Sequence, residues 1–262
     1  MTTELLAGWN VSPFTHDGIT HDVYRRGDGP GVILIPEIPG ATPAVIALGE
    51  RLVAAGFHVV LPSIIGTPGR PPSGGYLAGS ALRMCVSREF AAFARRADRP
   101  IAGFLRALAR DVHAQRGGPG VGVIGMCFSG GFALATAADA SVLAPVVSQP
   151  AVPPAIGAGR SATGLSPTEE AAVRRRAGDG LCALGLRFTD DRSVPAERFA
   201  AFERLLGEGW RAFEIDSSPG NADGIPANAH SVLTDASATV QGHPTHRANE
   251  LVVEFLRERL AG

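Results

Sequence analysis

The sequence predicts an α/β fold with a mostly parallel central sheet flanked by helices. Three observations predict it. Short, wholly apolar runs of strand length recur along the chain, as strands buried on both faces require. Amphipathic stretches of helical length lie between them. Gly and Pro, 33 and 20 of the 262 residues, are scattered among the apolar runs as turns and form no linker.

Taken in order, residues 20–24 read as a short strand, and Gly27-Asp28-Gly29-Pro30 is a turn. Residues 31–38, GVILIPEI, form a continuous β-branched run that Pro39-Gly40 ends. Thr42 and Pro43 make an N-cap and N1 pair, and the helix AVIALGERLVAAG closes at Gly56. FHVVL at 57–61 is the next strand, followed by an irregular Pro/Gly-rich loop over 62–75. Helices are predicted over roughly 80–96 and 100–116, then a strand over 120–126, a small-residue helix over 129–140 and a strand over 142–148. Residues 150–180 are less regular and carry an exposed helix, TEEAAVRRRAG. The stretch 151–180 is long for a connection and is expected to be a cap-like or lid-like insertion in one domain spanning 1–262. Strands at 181–188 and 210–216 bracket a helix at 195–206. A mostly looped stretch, 217–244, leads to an amphipathic C-terminal helix over 245–260.

Composition excludes several classes. Lys plus Arg is 24 and Asp plus Glu is 25, so no basic surplus exists to neutralise phosphates, and no nucleic-acid partner is expected. Hydrophobic residues at 45% and charged residues at 19% are a globular balance. No apolar run reaches membrane-spanning length, and the first residues lack a signal-peptide pattern. A cytoplasmic protein is the expectation. Cys85, Cys127 and Cys182 form neither a CxxC pair nor a disulfide framework. The histidines lack metal-ligand spacing, and no HExxH or HxxEH occurs, so no metal is expected. Residues 120–125, GVGVIG, match G-x-G-x-x-G, but the match is itself the strand instead of following one. No cofactor is implied.

In a parallel sheet, ligands bind beyond the carboxyl ends of the strands. There the chain reads Gly125-Met126-Cys127-Phe128-Ser129-Gly130-Gly131, between a strand and a helix. A nucleophile elbow has this shape, with small residues two before and two after a strained nucleophile. Gly125 and Ser129 flank Cys127 in those places, and the helix N-terminus favours a thiolate and an oxyanion. Gly130 and Gly131 would let that helix pack close to the sheet. Two other readings compete: an inert buried Cys127, and a serine hydrolase using Ser129, two residues further into the helix.

In α/β-hydrolase sites the chain order is nucleophile, acid, histidine. Asp190 and Asp191 follow the next-to-last strand, and Asp191 lies 64 residues after Cys127. His230, 39 residues further on, sits in the loop after the last strand. The imidazole would take the thiol proton, and the carboxylate would orient it. Glu37 ends an apolar strand, where a charge is costly without a partner. The functional reading points it into the cleft, against the thiol or the imidazole. Oxyanion donors would be the backbone amides of Phe128 and Ile38.

The sequence resembles the dienelactone hydrolase family at PEIPG (36–40), GMCFSGG (125–131), DRSVP (191–195) and AHSV (229–232), over roughly residues 15–260. The resemblance implies an α/β-hydrolase fold and a Cys-His-Asp triad of Cys127, His230 and Asp191. It selects Asp191 over Asp190, because the family acid lies three residues before the valine of the V-P pair. It further implies that Glu37 holds the resting thiol until substrate releases it. Two departures stand out. Ser129 replaces the glycine of the best-known members, and Thr234 replaces an arginine that binds their substrate carboxylate. Other arginines, such as Arg83 or Arg88, could compensate. The expected activity is cofactor-independent hydrolysis of a small-molecule ester or lactone. The alternative from another class is a non-catalytic ligand-binding or thiol redox-sensing protein on the same fold.

Overall fold

The computed structural model describes residues 2–87, 90, 99–152 and 155–261. Its sheet has eight strands among them: β1 (Asn10–His16), β2 (Ile19–Arg26), β3 (Gly31–Ile35), β4 (His58–Pro62), β5 (Val121–Met126), β6 (Val142–Ser148), β7 (Ala183–Phe188) and β8 (Trp210–Ile215). They lie in the order β1-β2-β4-β3-β5-β6-β7-β8. β1, β2 and β4 pair antiparallel, and every pairing from β4 through β8 is parallel. The helices are α1 (Thr2–Leu5), α2 (Pro43–Ala54), α3 (Gly74–Val86), α4 (Pro100–Arg116), α5 (Gly130–Thr136), α6 (Pro167–Gly178), α7 (Ala196–Leu206) and α8 (Pro244–Leu260).

The continuous apolar runs are continuous because both sheet faces are covered. In β3, Val32 and Leu34 face one cluster and Ile33 and Ile35 the other. On one face, Leu105 and Leu108 of α4, Phe132 of α5 and Phe202 of α7 pack on Ile33, Val123 and Val147. On the other, Leu48 of α2 and Phe255 and Leu256 of α8 pack on Leu34, Ile124 and Val146.

Several boundaries differ from expectation. The predicted strand at 20–24 is one arm of a hairpin whose other arm, β1, is largely exposed and so carries no apolar run. β3 stops at Ile35, which leaves Pro36 and Glu37 beyond the sheet. The helix predicted over 80–96 begins at Gly74 and runs to Val86; most of its expected second half lies outside the described residues. The helix expected over 129–140 is confined to 130–136, after a 3₁₀ turn at Cys127–Ser129.

A buried arginine organises the segment expected to be an insertion. Arg198 in α7 has no solvent exposure. Its guanidinium donates to the carbonyls of Pro150 (3.0 Å), Val152 (3.2 Å), Gly159 (2.8 Å), Ala162 (2.8 Å) and Ser193 (2.6 Å). Burial pushes its pKa down to about 10, against the pull of Asp191. One side chain thereby fastens the exit of β6, the 157–161 turn and the loop after β7. Replacing Arg198 by Met leaves these carbonyls buried without a donor. Urea unfolding should show a loss of about 3 kcal/mol or more. A loss below about 1 kcal/mol would mean that the carbonyls find other partners on their own.

Candidate active site

Strand register places the site. Ile35 of β3 pairs with Gly125 of β5, and Met126 pairs with Ser148 of β6. The chain leaves these three neighbours at one level, so Glu37, Cys127 and Gln149 emerge side by side at the carboxyl edge of the sheet. β7 ends at the same edge, and Asp191 follows it by three residues.

Cys127 occupies the left-handed backbone region at φ 54°, which a non-glycine residue adopts only when its surroundings impose it. The flanks explain how. A Cβ on Gly125 would lie 2.2 Å from the Ser129 carbonyl oxygen, so no larger residue fits there. A Cβ on Gly130 would lie 2.7 Å from Pro150 Cα, so glycine lets the β6 exit approach the elbow. The N–H of Ala151 then donates to the Cys127 carbonyl at 2.9 Å.

Ser129 points inward. It is fully buried, and its hydroxyl accepts from the Met126 N–H at 2.9 Å. It faces the carbonyls of Met126 (2.8 Å) and Ile35 (3.2 Å). The hydroxyl thus ties the elbow to β3, and its geometry is that of a brace.

Asp191 is buried, and its Oδ1 accepts from the Ser193 N–H at 2.8 Å. Its Oδ2 lies 2.5 Å from His230 Nδ1. Asp190 is exposed, and its backbone N–H donates to the Ser217 hydroxyl at 3.0 Å. The Cys127 side chain lies near enough to His230 to act on the charge of its ring, so the imidazole has the acid on one side and the thiol nearby. Burial is the largest single influence on His230 and disfavours its charge. The hydrogen bond that the ring donates to Asp191 and the influence of nearby Cys127 together outweigh it and raise the imidazole from 6.5 to about 10.

Glu37 is buried but engages neither the thiol nor the imidazole. Its Oε2 accepts from Gln149 Nε2 (3.2 Å) and Ser231 Oγ (3.0 Å), and its Oε1 accepts from Thr234 Oγ1. Ile38 is half-buried, and it packs with Cys127 and Phe128 on one apolar cluster. Its neighbour loop is tight: the Gly40 N–H donates to the Glu37 carbonyl at 2.7 Å.

Two hollows adjoin the site. One, of about 420 Å³, is lined by Asp190, Arg192, Ser193, Asn228 and the His230–Asp191 pair. The other, of about 180 Å³, is lined by Ile64, Ile65, Ser80, Arg83 and Phe90. Phe90 in turn meets Phe128 with ring centroids 6.0 Å apart. Arg83 therefore faces a cavity beside the elbow, while Arg88 lies outside the described residues. Among the described residues no group of three or more His, Cys, Asp or Glu side chains could hold a metal, and no helix is long and apolar enough to cross a membrane.

The model of the dienelactone hydrolase family matches residues 21–260. The chain belongs to that family. It superposes on a candidate dienelactone hydrolase from Klebsiella pneumoniae subsp. pneumoniae MGH 78578 with a TM-score of 0.65 at 16% identity, covering 95% of this chain and 98% of that one. The dienelactone hydrolase-like promiscuous phosphotriesterase P91 from metagenomic libraries aligns at 17% identity and a TM-score of 0.56, over 94% of this chain and 98% of its own. The α/β hydrolase GrgF from Penicillium sp. sh18 gives 15% identity and 0.62, over 97% and 99%. At these identities the likeness carries the fold, which is that of the α/β hydrolases. A comparison with curated proteins finds no match.

Sequence reasoning missed Gln149, the Glu37 partners Ser231 and Thr234, and Arg198. The polar pair Ser148-Gln149 closing an otherwise apolar strand was the available signal for the first. For the others the sequence offered none.

The raised imidazole has a thermodynamic consequence. A group that binds its proton more tightly when folded stabilises the fold fully below its unfolded pKa, near 6.5. That contribution is lost as pH rises to about 10. Urea unfolding followed from about pH 6 to about pH 10 should show the loss, and His230→Asn should flatten it. An identical slope in both proteins would exclude His230 as its source.

Proposed function

We propose that the protein is a cofactor-independent hydrolase of a small-molecule ester or lactone, with Cys127 as nucleophile, His230 as base and acid, and Asp191 as the group that orients the imidazole. One observation carries the reading: a buried carboxyl group is paired with His230 close to Cys127, a residue held at positive φ on a strand-to-helix elbow.

In this reading the thiol proton passes to His230, and the sulfur attacks the substrate carbonyl. The tetrahedral oxyanion is held by the amides of Phe128 and Ile38. His230 returns the proton to the departing alkoxide, leaving an acyl thioester on Cys127. Water, deprotonated by His230, then attacks the thioester and releases the acid. A thiolate leaves more readily than an alkoxide. Activated or strained esters and lactones therefore suit this site, because their leaving groups compete with the sulfur. The inward hydroxyl of Ser129 weighs against the serine-hydrolase alternative. Cysteines without a disulfide framework agree with action in the cytoplasm.

The test is covalent trapping. Brief reaction with p-nitrophenyl acetate, an acid quench and peptide mass spectrometry should find the acetyl group on Cys127. Cys127→Ala should lose turnover by about a thousandfold or more. Acetyl on Ser129 would overturn the assignment of the nucleophile, and full turnover by Cys127→Ala would overturn the mechanism.

A further inference from the structure

We propose that Gln149 is a positioning residue that holds the Glu37 carboxyl group off Cys127, so that the thiol is paired with His230 before any substrate arrives. This rests on the reading of Cys127 as the nucleophile, and it gives Glu37 a different role from the thiol-holding one that family resemblance implies.

The geometry is specific. Glu37 lies in the loop after β3, next to the elbow, and only 7% of it is exposed. Left alone, a buried carboxyl group beside a thiol would seek it as a hydrogen-bond partner, because burial without partners is costly. Here three other donors reach it first. Ser231 and Thr234 come from the histidine loop, and Gln149 comes from the end of β6.

Gln149 is built for this position. It has no solvent exposure, and its backbone sits at φ 31°, which disfavours any residue but glycine or asparagine. Its N–H donates to the Leu186 carbonyl at 2.7 Å, which fixes the strained residue to β7. Its side-chain oxygen accepts from the Ser148 hydroxyl and from the Val232 N–H at 3.4 Å. That fixes the amide so that its nitrogen can only aim at Glu37. The strain is thus spent on one amide group that joins the loop of Glu37 to the loop of His230. His230 meanwhile is paired with Asp191, and Glu37 takes no part in that pairing.

Thiol alkylation tests this in the full chain without any ester. The rate of Cys127 modification by iodoacetamide is measured against pH by peptide mass spectrometry, with Cys182 in the same molecule as the internal reference. In the parent, Cys127 should react faster than Cys182 near neutral pH. Gln149→Ala frees the carboxyl group to take up the thiol. Cys127 should then react about tenfold more slowly near pH 7, and its profile should move up by about one pH unit. Adding Glu37→Gln to Gln149→Ala should restore the parent profile, a rescue that a merely structural role would not give. Thr234→Val removes a donor at the rim of the network and should shift the profile in the same direction. It decides the matter alone if Gln149→Ala does not fold. The proposal is overturned by an unshifted profile in a folded variant, by a double variant as slow as Gln149→Ala, or by a parent Cys127 no more reactive than Cys182. Because no acyl transfer is measured, failure of ester hydrolysis would leave this result standing on its own.

Discussion

Everything in the site depends on one strained residue. Cys127 can stand clear of the sheet edge only with its backbone at positive φ, a conformation worth roughly 1–2 kcal/mol less than the ordinary one. Neighbouring atoms hold it there. Gly125 has no side chain to collide with the Ser129 carbonyl, and the Ser129 hydroxyl bonds back to Met126 and toward β3. The Ala151 amide takes the Cys127 carbonyl from the other side. A serine two residues after Cys127 thus adds a brace to the elbow.

The second constraint is the common level at which β3, β5 and β6 end. Parallel register brings three polar side chains, Glu37, Cys127 and Gln149, out of an otherwise apolar layer within a few ångströms of sheet edge. Buried polar groups in such a place must be satisfied by one another or by the covering loops. The structure divides them into two sets. Asp191, His230 and Cys127 form one, and Glu37, Gln149, Ser231 and Thr234 form the other. The residues 230–234 contribute to both, so the histidine loop is anchored by the very network that keeps the carboxyl group of Glu37 occupied. Arg51 and Asn249 secure the same loop from behind through the Leu233 carbonyl.

The α/β fold was legible because burial on both faces writes strands as uninterrupted apolar runs. Residues 142–148 coincide with the structure for that reason, and the helix 100–116 does so because its apolar residues recur at helical spacing. β1 was not legible as a strand, since an exposed edge has no such run, although Asp17-Gly18 at its tip is a hairpin turn signal. The elbow was legible because its chemistry demands small residues at fixed offsets. The choice of Asp191 over Asp190 was legible only through family resemblance; the structure supplies the physical reason, which is that one carboxyl group is buried against His230 and the other is exposed. The partners of Glu37 were not legible. They come from 112 to 197 residues away in the chain, and no local pattern announces a contact of that range.

Position 234 shows how a small departure redirects a site. An arginine there could pair with an anionic substrate, and it would also offer a charge to the nearby carboxyl group of Glu37. A threonine can do neither. Its hydroxyl gives Glu37 a neutral hydrogen bond. Gln149 and Ser231 supply the other neutral donors to its carboxyl group. Two arginines border the hollows that adjoin the site instead: Arg192 beside the His230–Asp191 pair, and Arg83 beside Phe90.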